Sequence, residues 1–496
     1  MHSAIKNIRL LQVLLFVASF CVHTAFSQGT VQHSATSTFQ YPVVANDSIT
    51  SHDSAAGPYF TIRNIVTEGN KITNKKIILR ELSFKAGDSI RIKDIHKNFE
   101  EAKFRLMNTS LFHEVQISVL QFEGFEVDIK IWVDERWYII PSPHLKPVDR
   151  NISQWIFKER ASFNRVDYGL KLHWNNMTGN NDKLRLYFIT GYTRQLVLSY
   201  RRPFIDKNMK WGIYFDMSVG KNHELNYNTI NNTQSFVKFR DKNFARNFFR
   251  TNVEASYRPA FYTTHSFGIG YTKLRVNDSV LKLNPNFFNI PGNTIYYPEI
   301  YYKLIHRNFD YNPYPTRGHA AELTLLKQGF SKDVNVTQLT LKGIKYWPFN
   351  KKFFYSIGAT GTVKVPFKQP YYFSQLLGYG DFYLRGYEFY VIDGVAGGIV
   401  NTTLTHQLTN FKIHIPGTKW FTPRLIPLKI YGKVFGNVGY GYQKPPLLNS
   451  LNNKLVFGGG FGFDVVTMYD FNLKIEWSFN QLGQNGIYLQ KKSTFQ

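Results

Sequence analysis

This sequence predicts a mainly β protein: a transmembrane antiparallel β-barrel of about 16 strands, preceded by one small α/β domain. Three observations carry that reading. The 496 residues include 31 Tyr and 43 Phe, yet no apolar run is long enough to cross a membrane as a helix. From residue 141 onward, segment after segment alternates apolar and polar residues with period two. Only residues 58–140 mix strand and helix spacing.

The N-terminus reads as an export signal. Lys6 and Arg9 precede "LLQVLLFVASF", an apolar run too short to span. Ala25-Phe26-Ser27 then offers a small-x-small cleavage site, so residues 1–27 are a signal peptide and the mature chain is expected to begin near Gln28. The single cysteine, Cys21, lies in the removed segment, and Phe20 before it does not suit a lipid-attachment site. A mature chain without thiols has no disulfide framework. Residues 28–57 are rich in Ser, Thr and Ala without apolar period, the composition of a flexible linker.

Within 58–140, "YFTIRNIVTEGN" reads as a strand closed by a Gly69-Asn70 turn, and "NKKIILREL" as a short helix. A second helix is expected after "AGDSI", capped through Asp88 or Ser89. Its apolar face would be Ile92, Ile95, Phe99, Ala102 and Leu106. Two strands, "HEVQISVLQ" and "FEVDIKIWVDE", complete the unit.

Residues 141–496 supply the barrel. In "FNLKIEWSFN", Phe471, Leu473, Ile475, Trp477 and Phe479 share one face, opposite Lys474 and Glu476. "VDYGLKLHW" and "DKLRLYF" alternate in the same way. Such strands suit a soluble sandwich with its charges outside, or a membrane barrel with its aromatics facing lipid and its charges inside. Their length decides, since about ten residues cross a membrane when tilted and exceed most sandwich strands. About eleven strands precede "LGYGDFYLRGYEFYVIDG" at residues 377–394 and about five follow, an even total that suits a closed barrel.

That stretch holds a lone cation, Arg385, in aromatic surroundings. Facing lipid at midplane it would cost about 2–4 kcal/mol, so it belongs inside. Parity in "KLVFGGGFGFDVV" turns Phe457, Phe461 and Phe463 outward, and Gly458, Gly460, Gly462 and Asp464 inward. In "LKIYGKVFGNVGYG" the lumen set includes Lys429, Lys433, Phe435, Asn437 and Gly439. A loop folded into the lumen would bring Arg385 to Asp464, where a carboxylate accepts two parallel hydrogen bonds from a guanidinium.

"YLRGYE", with Leu384, Arg385, Gly386 and Tyr387, resembles the arginine-glycine-aromatic signature on the inward-folded sixth extracellular loop of the BamA/TamA superfamily of outer-membrane barrels. The small domain resembles their polypeptide-transport-associated (POTRA) unit through the Gly69-Asn70 turn, "ILRELSFKAGD" and "NTSLFHEV". The resemblance covers nearly the whole chain after residue 57. Two departures stand out. Where the family has aromatic-x-Asp-x-Gly, this chain has Phe435, Asn437 and Gly439, which leaves Asp464 as the expected partner of Arg385. The final "NGIYLQKKSTFQ" interrupts its outward set Ile487, Leu489 and Phe495 with Lys491 and Ser493, a weak closing strand of the kind that suits a poorly zipped seam.

The resemblance implies an integral protein of the Gram-negative outer membrane with its POTRA domain in the periplasm. It implies a factor that inserts outer-membrane proteins or moves polypeptide through the membrane, acting on unfolded outer-membrane or exported clients. Periplasmic or lipoprotein accessory subunits are partners it allows. Three other readings stay open: a dedicated secretion pore, a structural subunit of an envelope machine, and a passive anion-preferring channel lined by Lys183, Arg185, Lys429 and Lys433. The net charge of +26 fits contact with anionic lipid or lipopolysaccharide, and equally a diffuse loop and lumen charge. No nucleic-acid module accompanies it. No hydrolase elbow, phosphate loop or H-E-x-x-H metal motif is present, so the chain reads as a non-enzyme without cofactors.

Overall fold

The computed structural model describes residues 58–148, 155–156, 160–239, 243–380, 382–414, 425–444 and 449–490. The expected signal peptide and linker, and Lys491, Ser493 and Phe495, lie outside the described residues.

The small domain runs β1 (Tyr59–Glu68), α1 (Lys75–Arg80), β2 (Ser89–Arg91), α2 (Ile92–Asn108), β3 (Phe112–Glu123) and β4 (Glu126–Glu135). Its sheet has the order β2-β1-β4-β3, with β1 parallel to β4. A parallel pair needs a long crossover, which the helices provide. The alternation of Val127, Ile129, Ile131 and Val133 turns all four into a core shared with Ile62, Ile77, Ile78, Ala102 and Leu106. Gly69 has φ +86°, and a Cβ there would sit 1.9 Å from the Val133 carbonyl oxygen, so this turn requires glycine. Residues Ser89–Arg91 correct one expectation. They form a strand paired with Tyr59–Thr61 rather than a helix cap, and Asp88 accepts from the Lys85 amide at 2.9 Å. Helix α2 starts without a side-chain cap.

The remaining strands begin with β5 (Ile139–Pro147), β6 (Val166–Asn175), β7 (Lys183–Gly191), β8 (Thr193–Arg202) and β9 (Trp211–Asn222). A separate hairpin, β10 (Glu224–Ile230) and β11 (Thr233–Lys238), interrupts them. Then come β12 (Arg246–Tyr257), β13 (Thr263–Val276), the short α3 (Asp278–Leu283), β14 (Thr294–Phe309), β15 (Gly318–Gln328), β16 (Val336–Pro348) and β17 (Phe353–Val365). The long loop that follows carries Arg385 and a small pair, β18 (Gln375–Leu377) and β19 (Ile392–Asp393). Last are β20 (Ala396–His414), β21 (Leu425–Tyr442), β22 (Leu455–Val466), β23 (Asn472–Asn480) and β24 (Asn485–Gln490).

Without the two small pairs, these strands form one 16-stranded antiparallel sheet in barrel-like arrangement, eleven strands before the Arg385 loop and five after it. Its order follows the sequence, so neighbouring strands are joined by hairpin connections. Outward positions such as Phe188, Ile269, Leu341, Phe461 and Phe463 are exposed apolar residues, the wall of a membrane-spanning barrel. None of the described helices is long and apolar enough to cross a membrane. The sheet ends at β5 and β24, and no ladder joins those two edges among the described residues. All six described residues of β24 pair with β23.

The POTRA-like domain is seated against the turns at its end of the barrel. The Arg258 guanidinium makes a fork onto Glu81, at 2.7 and 3.0 Å. Arg136 makes another onto Asp470, at 2.8 and 3.1 Å. Asn108 donates to the Phe309 carbonyl at 3.1 Å, and the Asn74 amide donates to Gly179 at 2.9 Å. The turns after β6, β12, β14 and β22 are all engaged.

Burial pushes the Asp470 carboxyl up, but Arg136 and Tyr311 outweigh it and hold it below the usual carboxylate range. A depressed folded value means the stabilisation is present above the unfolded value and is lost as pH falls through the folded one. Protease cleavage between the domain and β5 should therefore stay constant from about pH 8 to 5 and increase only below about pH 4. Increased cleavage already at pH 6 would assign the seating to another group.

At the opposite end, the long loops pack on one another. Phe287, Phe288, Tyr371 and Phe373 form an apolar cluster with Val280 and Leu274. The tip of the β10–β11 hairpin is fastened through Asn232, which donates from its backbone to Asn449 at 2.9 Å and from its amide to the Val391 carbonyl at 3.2 Å. The Leu451 amide donates to the Asn232 side chain at 2.9 Å.

Candidate functional site: the arginine loop on the inner wall

The site rests on the register of β21, β22 and β23. Inward residues form rows across these strands: Asn437–Gly458–Asn480, Phe435–Gly460–Ser478, Lys433–Gly462–Glu476 and Tyr431–Asp464–Lys474. Rows are two residues, about 7 Å, apart. The glycines leave this part of the wall without side chains: the loop comes down on Gly458, and the Phe435 ring covers Gly460. A Cβ on Gly458 would sit 2.3 Å from the Arg385 carbonyl oxygen.

Each residue of the loop motif is held. Leu384 is buried against Gly439 in a cluster with Val456. Gly386 takes φ +91°, and Asn480 donates to its carbonyl at 2.7 Å. Tyr387 is buried and donates to the Phe457 carbonyl at 3.1 Å. The Gly386 amide donates to Glu388 at 3.1 Å, and the Tyr383 hydroxyl also donates to Glu388.

Arg385 is gripped on every side. Its Nε donates to Asn437 Oδ1 at 2.9 Å, and Nη2 donates to Thr403 Oγ1 at 3.2 Å and the Thr402 carbonyl at 3.3 Å. The guanidinium lies 4.0 Å from the centroid of Phe435, a cation–π contact. Asn437 Nδ2 donates back to the Arg385 carbonyl at 3.3 Å. An aspartate at 437 could not make that second bond, so the amide clamps both the side chain and the backbone of the loop.

The expected fork between Arg385 and Asp464 needs correction. Among the described residues, the carboxylate within ion-pair distance is Glu476, whose Oε1 lies 3.8 Å from Nη1. Asp464 is one row further from the loop, with Lys433 in between. Lys433 Nζ lies 2.5 Å from Glu476 and 2.6 Å from Asp464, and Tyr314 donates to Asp464 at 2.9 Å. Two cations and two carboxylates therefore make one buried chain, Arg385–Glu476–Lys433–Asp464. Sequence parity had put Glu476 on the polar face of its strand without assigning it a partner. The missing signal was register, which aligns Glu476 with Gly462 and Lys433.

Chemically the arrangement is a clamp of alternating charge, with Lys474 beside Asp464 in the adjoining row. Among the described residues no group of three or more His, Cys, Asp and Glu side chains could hold a metal ion. Lys433, counted from sequence among the channel cations, is committed to two carboxylates. A bulky residue at Gly458 should expel the loop. Gly458→Val is expected to make Arg385 rapidly cleavable by trypsin in the folded protein, whereas Gly361→Val, with nothing nearer than 3.9 Å, should not. Equal protection of both variants would mean that the loop does not rest on Gly458.

Residues 60–136 match the family model for POTRA, described as surface antigen variable number repeat. No curated protein matches the chain. Among solved structures, the chain is similar to BamA from Haemophilus ducreyi lacking POTRA domains 1–3, at 15% identity over 87% of this chain and 83% of that one, with a TM-score of 0.48. It is also similar to CdiB from Escherichia coli, at 11% identity over 89% and 92%, with a TM-score of 0.49. CdiB from Acinetobacter baumannii gives 12% identity over 87% and 73%, with a TM-score of 0.47. One POTRA domain ahead of a 16-stranded barrel-like sheet is the BamA/TamA-type architecture implied by the resemblance.

Proposed function

We propose that this chain is an outer-membrane factor that inserts or exports polypeptide clients, with its POTRA domain in the periplasm. The observation that carries the proposal is a POTRA domain seated beneath a sheet whose first and last strands share no ladder among the described residues. An extended polypeptide adds to such an edge through main-chain hydrogen bonds, which tolerate many sequences. The POTRA sheet offers a second edge along β3, which pairs with β4 on one side and lies at the end of the sheet order. The arginine loop acts from inside, stiffening β21 to β23 so that opening is confined to the seam. No step requires bond chemistry or a cofactor.

Export of one dedicated partner would use the same parts. A passive anion channel is favoured less, because long loops pack together at one end of the barrel, the POTRA-like domain is fastened to turns at the other, and Lys433 is paired with two carboxylates. Photo-crosslinking side chains at Leu489 in β24 and Ser142 in β5 are expected to capture newly exported polypeptides in cells. The same group at Leu341, in mid-sheet, should not. Equal capture at all three positions, or none at the seam, would count against the edge as the client site.

A further inference from the structure

The outer wall carries a feature that client handling leaves unused. Toward the end opposite the POTRA domain, the outward residues of β13 run Phe267, Ile269, Tyr271, Lys273 and Arg275, all exposed. Strand β9 ends the same way, with Val219 then Lys221, and β8 gives Leu196 then Arg194. An apolar band thus ends in cations. The ladder sets them side by side: Arg194 is opposite Lys221, Lys221 opposite Asn247, and Asn247 opposite Arg275. The row crosses four adjacent strands and is about 14 Å wide at the usual strand spacing.

Phe244 gathers two of these charges. Arg194 and Lys221 each lie 5.4 Å from its ring centroid, and the ring itself stacks on His223 at 4.3 Å. Among the described residues, no carboxylate forms an ion pair with Arg194, Lys221, Lys273 or Arg275. Cations collected around one aromatic ring repel one another unless an anion joins them. The charge is also local. On the outward face of the same end of β21 to β23, the exposed strand residues include Tyr440, Leu455, Phe457 and Phe479, and the nearby cations Lys444 and Lys454 lie in the connection rather than in a row on the wall.

We propose that this row binds the phosphates of a lipid A-type glycolipid in the outer leaflet. The inference rests on the outer-membrane placement proposed above, which puts this end at the cell surface. Acyl chains would lie along Leu196, Val219, Phe267 and Ile269, with the phosphates level with the cations. A glycerophospholipid has one phosphate and fills one end of the row, whereas a disaccharide with a phosphate at each end matches its width. The positive charge of the chain thereby gains a specific partner.

The test uses the full chain purified in detergent and titrated with bis-phosphorylated lipid A, with bound lipid counted by native mass spectrometry. Phosphatidylglycerol and phosphate-free lipid A are the comparison probes. Lipid A should be retained in preference to both. Lys221→Gln combined with Arg275→Gln should weaken its binding by about tenfold or more. Arg250→Gln, on the lumen face of β12, should leave it unchanged. Equal retention of phosphatidylglycerol, or a double variant that binds lipid A normally, would overturn the site. Heat-modified gel migration checks that the variants fold. Flotation with liposomes reports membrane insertion separately, so loss of the lipid site and failure of the membrane placement give different results.

Discussion

Glu476→Ala is expected to destabilise the barrel by about 3–5 kcal/mol, the usual consequence of leaving buried charges without their partner. Glu476 is 2% exposed and neutralises two cations, with Lys433 Nζ at 2.5 Å and Arg385 Nη1 at 3.8 Å. Without it, Lys433 keeps Asp464, but among the described residues no other carboxylate is within ion-pair distance of Arg385. Arg385→Ala should cost less, about 1–3 kcal/mol, because Lys433 still balances part of the remaining charge and the lost contacts are mostly hydrogen bonds. Urea unfolding in liposomes measures both. A double-mutant cycle separates direct from relayed coupling: Arg385 with Glu476 should couple more strongly than Arg385 with Asp464, whose link runs through Lys433. Equal couplings would contradict the chain of contacts.

Glu81→Ala should free the POTRA domain from the barrel, at a loss of about 3 kcal/mol. Glu81 is 3% exposed and receives the two-bond fork from Arg258, with Arg80 at 3.4 Å. Burial, and then the facing Arg258, already push the Arg80 guanidinium down to about 10, with Glu81 opposing the shift. Removing the acid leaves two adjacent guanidiniums facing each other across the interface. Hydrogen exchange should then accelerate in α1 and in the turn after β12, while the sheet strands keep their protection. Unchanged exchange in both segments would show that the domain is held by its other contacts, at Asn74, Asn108 and Arg136.

Much of the fold was legible because a strand in a membrane wall has only two sides. Period-two alternation separated Phe457, Phe461 and Phe463 from Gly458, Gly460 and Asp464, and the structure exposes the first set and turns the second inward. The count of strands on either side of Arg385 followed from the same pattern. The pairing of charges did not. Whether Arg385 meets Asp464 or Glu476 depends on the register between β22 and β23, and alternation within one strand carries no register information. Ser89–Arg91 was misread because three residues are too few to show a period. The seating of the POTRA-like domain depends on pairs such as Glu81 and Arg258, 177 positions apart, which no local pattern links. The cation row across β8 to β13 was hidden for the same reason: its members are scattered along the chain and become neighbours only in the ladder.

The most direct test of the central claim, that this chain handles outer-membrane polypeptides, is its depletion in the native bacterium followed by quantitative proteomics of the outer membrane. Loss of other barrel proteins or of particular surface proteins is expected, with breadth distinguishing general insertion from dedicated export. An outer-membrane proteome unchanged after full depletion would contradict it.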